Sequence, residues 1–205
     1  MKERLHIYKV LEEMSKDVEL LKRLNFFNEY DKKSLSRWEN WLQLDFLYHL
    51  DRHGVTATWF EDTYNYDKRK RLPNGKYGKS LARIDIVYRR PSTSLILYTG
   101  IELKVSDDPD SIKGSLIDLA RIGSFVNRQW CFRGIFAISI YRYEKNSKYL
   151  RLSEQVGETI EFGPYMLSII GWEANENKDA TLHSYNEWLK YLSLKCKELG
   201  IKCIA

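Results

Sequence analysis

Residues 83–90 read Arg-Ile-Asp-Ile-Val-Tyr-Arg-Arg, and residues 94–105 read Ser-Leu-Ile-Leu-Tyr-Thr-Gly-Ile-Glu-Leu-Lys-Val, with Pro91 and Ser92 turning the chain between them. Both stretches carry the β-branched and aromatic residues that suit a pleated, half-buried surface, so both are expected strands. The connection at 91–93 is short enough to make them antiparallel neighbours. The second stretch is nearly continuous in apolar content, as a strand in the middle of a sheet is. Charge interrupts this pattern. Asp85 stands between Ile84 and Ile86, and Glu102 and Lys104 alternate with Ile101, Leu103 and Val105. Successive side chains on a strand point to opposite faces, so Glu102 and Lys104 share one face and the three aliphatic residues take the other. If the strands pair, Asp85 stands beside Glu102. Two carboxylates and an ammonium then converge at one edge of the sheet, and such groups are rarely buried without a partner or an ion.

Working outward, Ser111–Val126 has helical spacing, with Ile112, Leu116, Leu119, Ala120 and Val126 on one side. Phe132–Tyr141 follows as a buried strand. A strand, helix, strand unit over 94–141 implies a parallel pair with a right-handed crossover. Upstream, a helix is expected from Ser34, a plausible N-cap, to about His53, with Gly54 as its stop. Trp38, Trp41, Leu42, Leu44, Phe46, Leu47, Tyr48 and Leu50 run almost all the way round it, which predicts burial on several sides. Val55–Tyr66 reads as a strand. Residues 67–80, with Pro73, Asn74, Gly75 and Gly78, read as a loop. The N-terminal residues 3–24 read as one helix with a stripe of Leu5, Tyr8, Leu11, Met14, Val18 and Leu21. Tyr165–Trp172 is an expected strand, and Leu182–Leu199 a closing helix ended by Gly200. The predicted class is α/β: a mixed central sheet flanked by helices, with a core of order αβββαβ over about residues 34–142 and further helical and β/α elements at the two ends.

Composition agrees with one globular domain over residues 1–205. Of these, 43% are hydrophobic and 30% charged, and 6 Trp, 14 Tyr and 8 Phe exclude general disorder. No apolar run approaches the ~20 residues a bilayer demands, so no membrane partner is expected. The first residues carry charges where a signal peptide needs an apolar stretch, so a cytoplasmic protein is expected. Cys131, Cys196 and Cys203 fit no metal spacing and are read as structural thiols in a reducing compartment. His6, His49, His53 and His183 show no zinc-like spacing. Net charge is +5, a mild bias that permits a polyanionic partner. Its distribution says more: Lys68, Arg69, Lys70 and Arg71 form one run just before the Asp85 strand, followed by Lys76 and Lys79. The run is either a solvated loop or a set of phosphate contacts.

Asp85, Glu102 and Lys104 suit cation-assisted hydrolysis of a phosphodiester. Two carboxylates can hold a hard divalent cation, Mg2+ or Mn2+, through oxygen while it keeps several waters. The lysine can orient or deprotonate the attacking water, or offset charge on phosphorus. The plain alternative is a buried ion pair of Glu102 with Lys104 and of Asp85 with Arg83, although burying such pairs seldom stabilises more than apolar replacements would.

Over residues 34–142 the order helix, three strands, helix, strand, with an acid on the second strand and Glu102-Leu103-Lys104 on the third, resembles the PD-(D/E)XK nucleases, which share the restriction-endonuclease-like core. Ile84 stands where that family usually has proline. The resemblance implies a metal-dependent endonuclease with Asp85, Glu102 and Lys104 catalytic, and with Asp85, Glu102 and the Leu103 backbone carbonyl around the metal. It also implies an acid from the first core helix. Glu39 matches, on one helical side with Gln43, Phe46 and Leu50; an ordinary charge near a helix N-terminus is the alternative. Lys113, Arg121 and Arg128, on or after the helix that follows the motif, are candidate phosphate contacts along with Arg83, or else solvated-face charges. Gln129 and Gln43 are further candidates for the site.

The nucleic acid implied is DNA, in restriction, phage defence, mobile-element biology or repair. An RNA nuclease has the same motif. A silent nuclease-fold subunit that binds or scaffolds is the non-enzymatic alternative. Cutting both strands of a duplex with one site per chain would favour a homodimer, or a partner protein could do the targeting.

Overall fold

A computed structural model describes residues 2–30, 38–55, 57–65, 81–90, 97–106, 110–144 and 147–202. The stripe expected for one helix over 3–24 is carried by two, α1 (Glu3–Met14) and α2 (Val18–Tyr30). The break has a local cause. The Asp17 carboxylate accepts hydrogen bonds from the Glu19 and Leu20 amides, at 2.9 and 3.1 Å, and so caps a new helix. The restart also resets the buried stripe. Ile7, Val10, Leu11, Met14, Leu20 and Leu24 are buried, while Leu5 and Val18 face solvent.

Helix α3 spans Glu39–Arg52; the N-cap assigned to Ser34 lies outside the described residues. It is buried on one side, through Leu42, Phe46 and Leu50, and exposes Leu44 and Tyr48 on the other, so it is not enclosed as its composition suggests. Strands β1 (Ala57–Asn65), β2 (Leu81–Arg89) and β3 (Tyr98–Val105) follow, then α4 (Asp110–Ile122), a short 3-10 turn at Asn127–Gln129, and β4 (Phe132–Arg142). Beyond these lie α5 (Lys148–Val156), β5 (Gly157–Phe162), β6 (Tyr165–Glu173) and α6 (Leu182–Glu198). The sequence reading assigned neither α5 nor β5.

The six strands form one mixed sheet in the order β1-β2-β3-β4-β6-β5. Only β3 and β4 are parallel, and α4 is their crossover, as the strand, helix, strand unit requires. Every other neighbouring pair is antiparallel. Helices cover both faces. On one, α1, α2 and α3 pack against Ile86, Ile101, Leu103, Phe136 and Ile138. On the other, α4, α5 and α6 pack against Val87, Ile135, Ala137 and Tyr141. Among the described residues no helix is long and apolar enough to cross a membrane.

Strand β2 leaves β3 part-way along. Their backbone pairing covers Tyr88–Thr99, Val87–Gly100 and Ile86–Ile101. Ile84 and Ile86 should share a face by alternation, yet they lie in opposite cores. The strand therefore turns at Asp85, between them. Its outer half and β1 curl toward α4: Tyr64 stacks on Phe125 with centroids 5.2 Å apart, and the Val126 amide donates to the Asn65 carbonyl. Helix α1 is tied to the sheet by a buried ion pair. Arg90 Nε donates to both Glu3 oxygens at 3.1 and 3.0 Å, its Nη2 also meets Glu3 Oε1, and Thr99 Oγ1 donates to Glu3 Oε2 at 2.9 Å. Both Glu3 and Arg90 are buried.

Candidate active site

The site lies where β2 parts from β3. Leu103 lies beyond the last β3 residue paired with β2, and its amide donates instead to Asp85 Oδ2 at 2.8 Å. The carboxylate thus takes the place of a strand in the hydrogen-bond ladder. Glu102 and Lys104 point to the α4 face, as alternation predicts, while Leu103 and Val105 enter the opposite core. Glu39 opens α3, which packs on that opposite core. Its Oε1 lies 3.5 Å from Lys104 Nζ. The structure therefore brings Asp85, Glu102, Lys104 and Glu39 together.

It adds Asp118, which the sequence reading did not select. This α4 residue is buried and lies 3.4 Å from Lys104 Nζ through Oδ2, and 2.9 Å from Arg121 Nη2 through Oδ1. Arg121 Nη2 also stands 3.6 Å from Glu102 Oε1. Lys104 is thus paired with Glu39 and Asp118, and the alternative of a simple Glu102–Lys104 pair is not the arrangement found. The signal for Asp118 was available. Ser111, Ser115, Asp118 and Ile122 repeat at spacings of four, three and four, which sets an acid on the inner side of the helix beside the Ile112, Leu116 and Leu119 stripe.

Among the described residues four carboxyl groups, Asp85, Glu102, Glu39 and Asp118, face two cations, Lys104 and Arg121. Burial pushes Glu102 well above the usual carboxylate range, and the neighbouring Asp85 and Asp118 push it further. Burial also raises Asp85, against the Leu103 amide and Lys104, and raises Glu39, against Lys104. For Lys104, burial favours loss of the proton, but Asp118, Glu39, Asp85 and Glu102 outweigh it and hold the ammonium above its ordinary value. Glu102 is 1% exposed, and its Oε1 accepts no hydrogen bond from any described residue. A buried acceptor left without a donor is costly, which marks this oxygen as the weak point of the cluster.

Asp85 and Glu102 could hold a hard cation together with backbone carbonyl and water oxygens. Among the described residues, no three His, Cys, Asp or Glu side chains form a ready-made cation cage. The other candidate residues divide. Gln43 is buried one turn after Glu39 on α3. Arg83 is exposed on β2, two residues before Asp85, and Lys113 and Arg128 are exposed on and after α4. Arg121, read as a phosphate contact, has its guanidinium turned into the cluster. Gln129 is engaged elsewhere: its Oε1 accepts from the Asn65 amide at 3.1 Å, tying the 3-10 turn to the end of β1. The basic run at Lys68, Arg69, Lys70 and Arg71 lies outside the described residues. No protein-family model matches the chain, and comparison with curated proteins finds no match.

The repulsion on Glu102 has a measurable sign. Its folded-state value is raised, so the folded chain binds more protons than the unfolded chain above the ordinary carboxylate range, and stability falls as pH rises through that window. Glu102→Gln removes the buried charge and keeps the shape. The variant is expected to melt roughly 2–4 °C above the wild type at pH 8 for each kcal/mol relieved, with the gain fading as pH falls toward ~4.3. His6 runs the other way: burial and then Arg90 hold it down at about 4. Subtracting one melting profile from the other, both in chelator, removes the shared His6 contribution. A variant that melts below the wild type across the whole range would show that Glu102 is not strained by its charge.

Proposed function

We propose that the chain is a divalent-cation-dependent endonuclease that hydrolyses phosphodiester bonds in DNA and carries a PD-(D/E)XK active site on a restriction-endonuclease-like core. The observation that carries this reading is the buried Glu102 carboxylate, its Oε1 without a donor among the described residues, in a cluster where those residues bring together more carboxylates than cations at the parting of β2 and β3. Such a cluster lacks positive charge, and two oxygen-donor carboxylates beside an open backbone fit a hard cation that keeps most of its waters. Asp85, Glu102 and the Leu103 carbonyl would hold it. Bound Mg2+ or Mn2+ supplies Lewis-acid polarisation of the scissile phosphate.

The chain's own residues do the rest. Lys104 keeps its proton, so it acts as a cation: it offsets charge developing on the phosphoryl oxygens and orients the attacking water. Glu39, raised by burial and 3.5 Å from that ammonium, is placed to accept the proton that water gives up. Exposed Arg83, Lys113 and Arg128 contact the backbone of the nucleic acid without reading bases. Restriction, phage defence, mobile-element biology and repair are the settings such an activity would serve, acting as a homodimer or with a targeting protein.

The test is incubation with single-stranded DNA, duplex DNA and RNA of one sequence, each with Mg2+ or Mn2+. Duplex DNA is expected to be cut. Cleavage of RNA alone moves the reading to an RNA nuclease. Tight binding of duplex without cleavage under every condition moves it to a silent binding subunit.

A further inference from the structure

The Glu102–Asp118–Arg121 corner carries a consequence for the order in which ligands enter. It rests on the nuclease reading above. Arg121 leaves the solvent-facing side of α4 and sets Nη2 between Asp118 Oδ1 at 2.9 Å and Glu102 Oε1 at 3.6 Å. The first contact is a close, charge-assisted bond within one helical turn. The second is loose: the distance is too long for a hydrogen bond, and Glu102 Oε1 has no donor. The Arg121 side chain is 32% exposed, whereas Glu102 is almost wholly buried. Arg121 is thus the end of this pair that lies nearer solvent. Lys104 is held differently, between Glu39 and Asp118, so Arg121 is the cation that stands directly against the inner carboxylate.

We propose that Arg121 is the resident counter-ion of Glu102 and Asp118: a divalent cation entering the site replaces it, and the freed guanidinium turns to a phosphate of the bound nucleic acid. The geometry supports each half. A cation bound at Glu102 Oε1 would stand close to Nη2, which now lies 3.6 Å from that oxygen, and two positive groups so close repel each other. The guanidinium, already part-exposed, then lies on the α4 face with exposed Lys113 and Arg128 nearby in sequence. A fork of donors suited to phosphate oxygens is released where phosphate is needed. In the metal-free chain Arg121 offsets part of the Glu102 charge, which would otherwise cost still more to bury. Cation and nucleic acid then bind with positive coupling, each favouring the state that accepts the other.

The test uses the full chain and Mn2+ binding by calorimetry, without substrate. Arg121→Gln removes the competitor and is expected to bind Mn2+ about tenfold more tightly than wild type. Arg121→Lys keeps the charge and stays near the wild-type affinity. Glu102→Gln loses binding in either background. If Arg121→Gln is poorly folded in chelator, melting gives the same answer: its rise in Tm on adding Mn2+ exceeds that of the wild type. A second arm measures a phosphorothioate duplex oligonucleotide. Wild type gains affinity for it when Mn2+ replaces chelator, and in Arg121→Gln that gain is at least about fivefold smaller. Glu102-dependent Mn2+ binding that Arg121→Gln leaves unchanged or weakens overturns the counter-ion role while the nuclease reading stands, and an undiminished Mn2+ gain for the duplex overturns the phosphate role. Absence of Mn2+ binding to wild type, or binding indifferent to Glu102→Gln, removes the nuclease reading itself.

Discussion

Asp85→Asn and Glu102→Gln are each expected to lower DNA cleavage by at least about 100-fold, because each removes a charge from the group that stabilises the transition state. Both replacements are nearly isosteric. Asparagine at 85 still offers an oxygen to the Leu103 amide, which now donates to Asp85 Oδ2 at 2.8 Å, so the parting of β2 from β3 survives. Glutamine at 102 relieves a carboxylate that burial and its acidic neighbours already disfavour. Loss of activity should therefore come with a retained or raised melting temperature. That pairing separates a chemical role from a structural one, since a buried ion pair serving the fold would lose stability when broken. Lys104→Met differs: it leaves Glu39 and Asp118 without their shared ammonium and costs stability and activity together. Activity retained by Asp85→Asn and Glu102→Gln would place the chemistry elsewhere.

The second large effect is on folding and lies away from the site. Arg90→Met leaves Glu3 buried, with Thr99 as its remaining close donor among the described residues and the Arg133 Nε at 3.9 Å. Removing one partner of a buried pair costs about 3–5 kcal/mol, which lowers the melting temperature by roughly 10 °C for a chain of this size. Glu3 begins α1, so the loss should appear as detachment of that helix from the sheet. The double variant Glu3→Met/Arg90→Met removes both charges and should recover most of the loss, because no buried carboxylate remains unpaired. Thermal unfolding of the wild type, both single variants and the double variant measures the coupling directly. Additive losses would mean that the pair does not hold α1.

The parts of this fold that could be read from the chain are those in which pattern and burial coincide. Strands β2, β3 and β4 and helix α4 follow from apolar content, and the parallel β3–β4 pair follows from the intervening helix. Asp85, Glu102 and Lys104 stood out because charge is rare in strands of that composition. Other features depend on contacts that a local pattern does not contain. The α1–α2 break rests on one side-chain cap at Asp17. Helix α5 has only nine residues and leads into β5 at Gly157 with no loop between them, so no periodic stretch is long enough to separate them. The buried Glu3 looked like any first-turn acid, and its partner Arg90 looked like a basic strand end; 87 residues of chain separate them. Asp118 escaped because acids on helices are usually solvated, and only its neighbours in the inner stripe distinguish it. Gln129 stands near the start of β4, from which the site was within reach, but its side chain bonds to β1, because the turn after α4 packs on the end of that strand.

Cation dependence bears most directly on the central claim. Supercoiled plasmid is incubated with the purified wild-type chain across a series of Mg2+ concentrations and in chelator, and relaxed and linear products are followed over time. Nicked or linear DNA should accumulate as Mg2+ rises, stop in chelator, and return when Mg2+ is restored, with Glu102→Gln inactive throughout. Cleavage that persists in chelator, or no cleavage at any Mg2+ concentration, would contradict the assignment of this carboxylate cluster to phosphodiester hydrolysis.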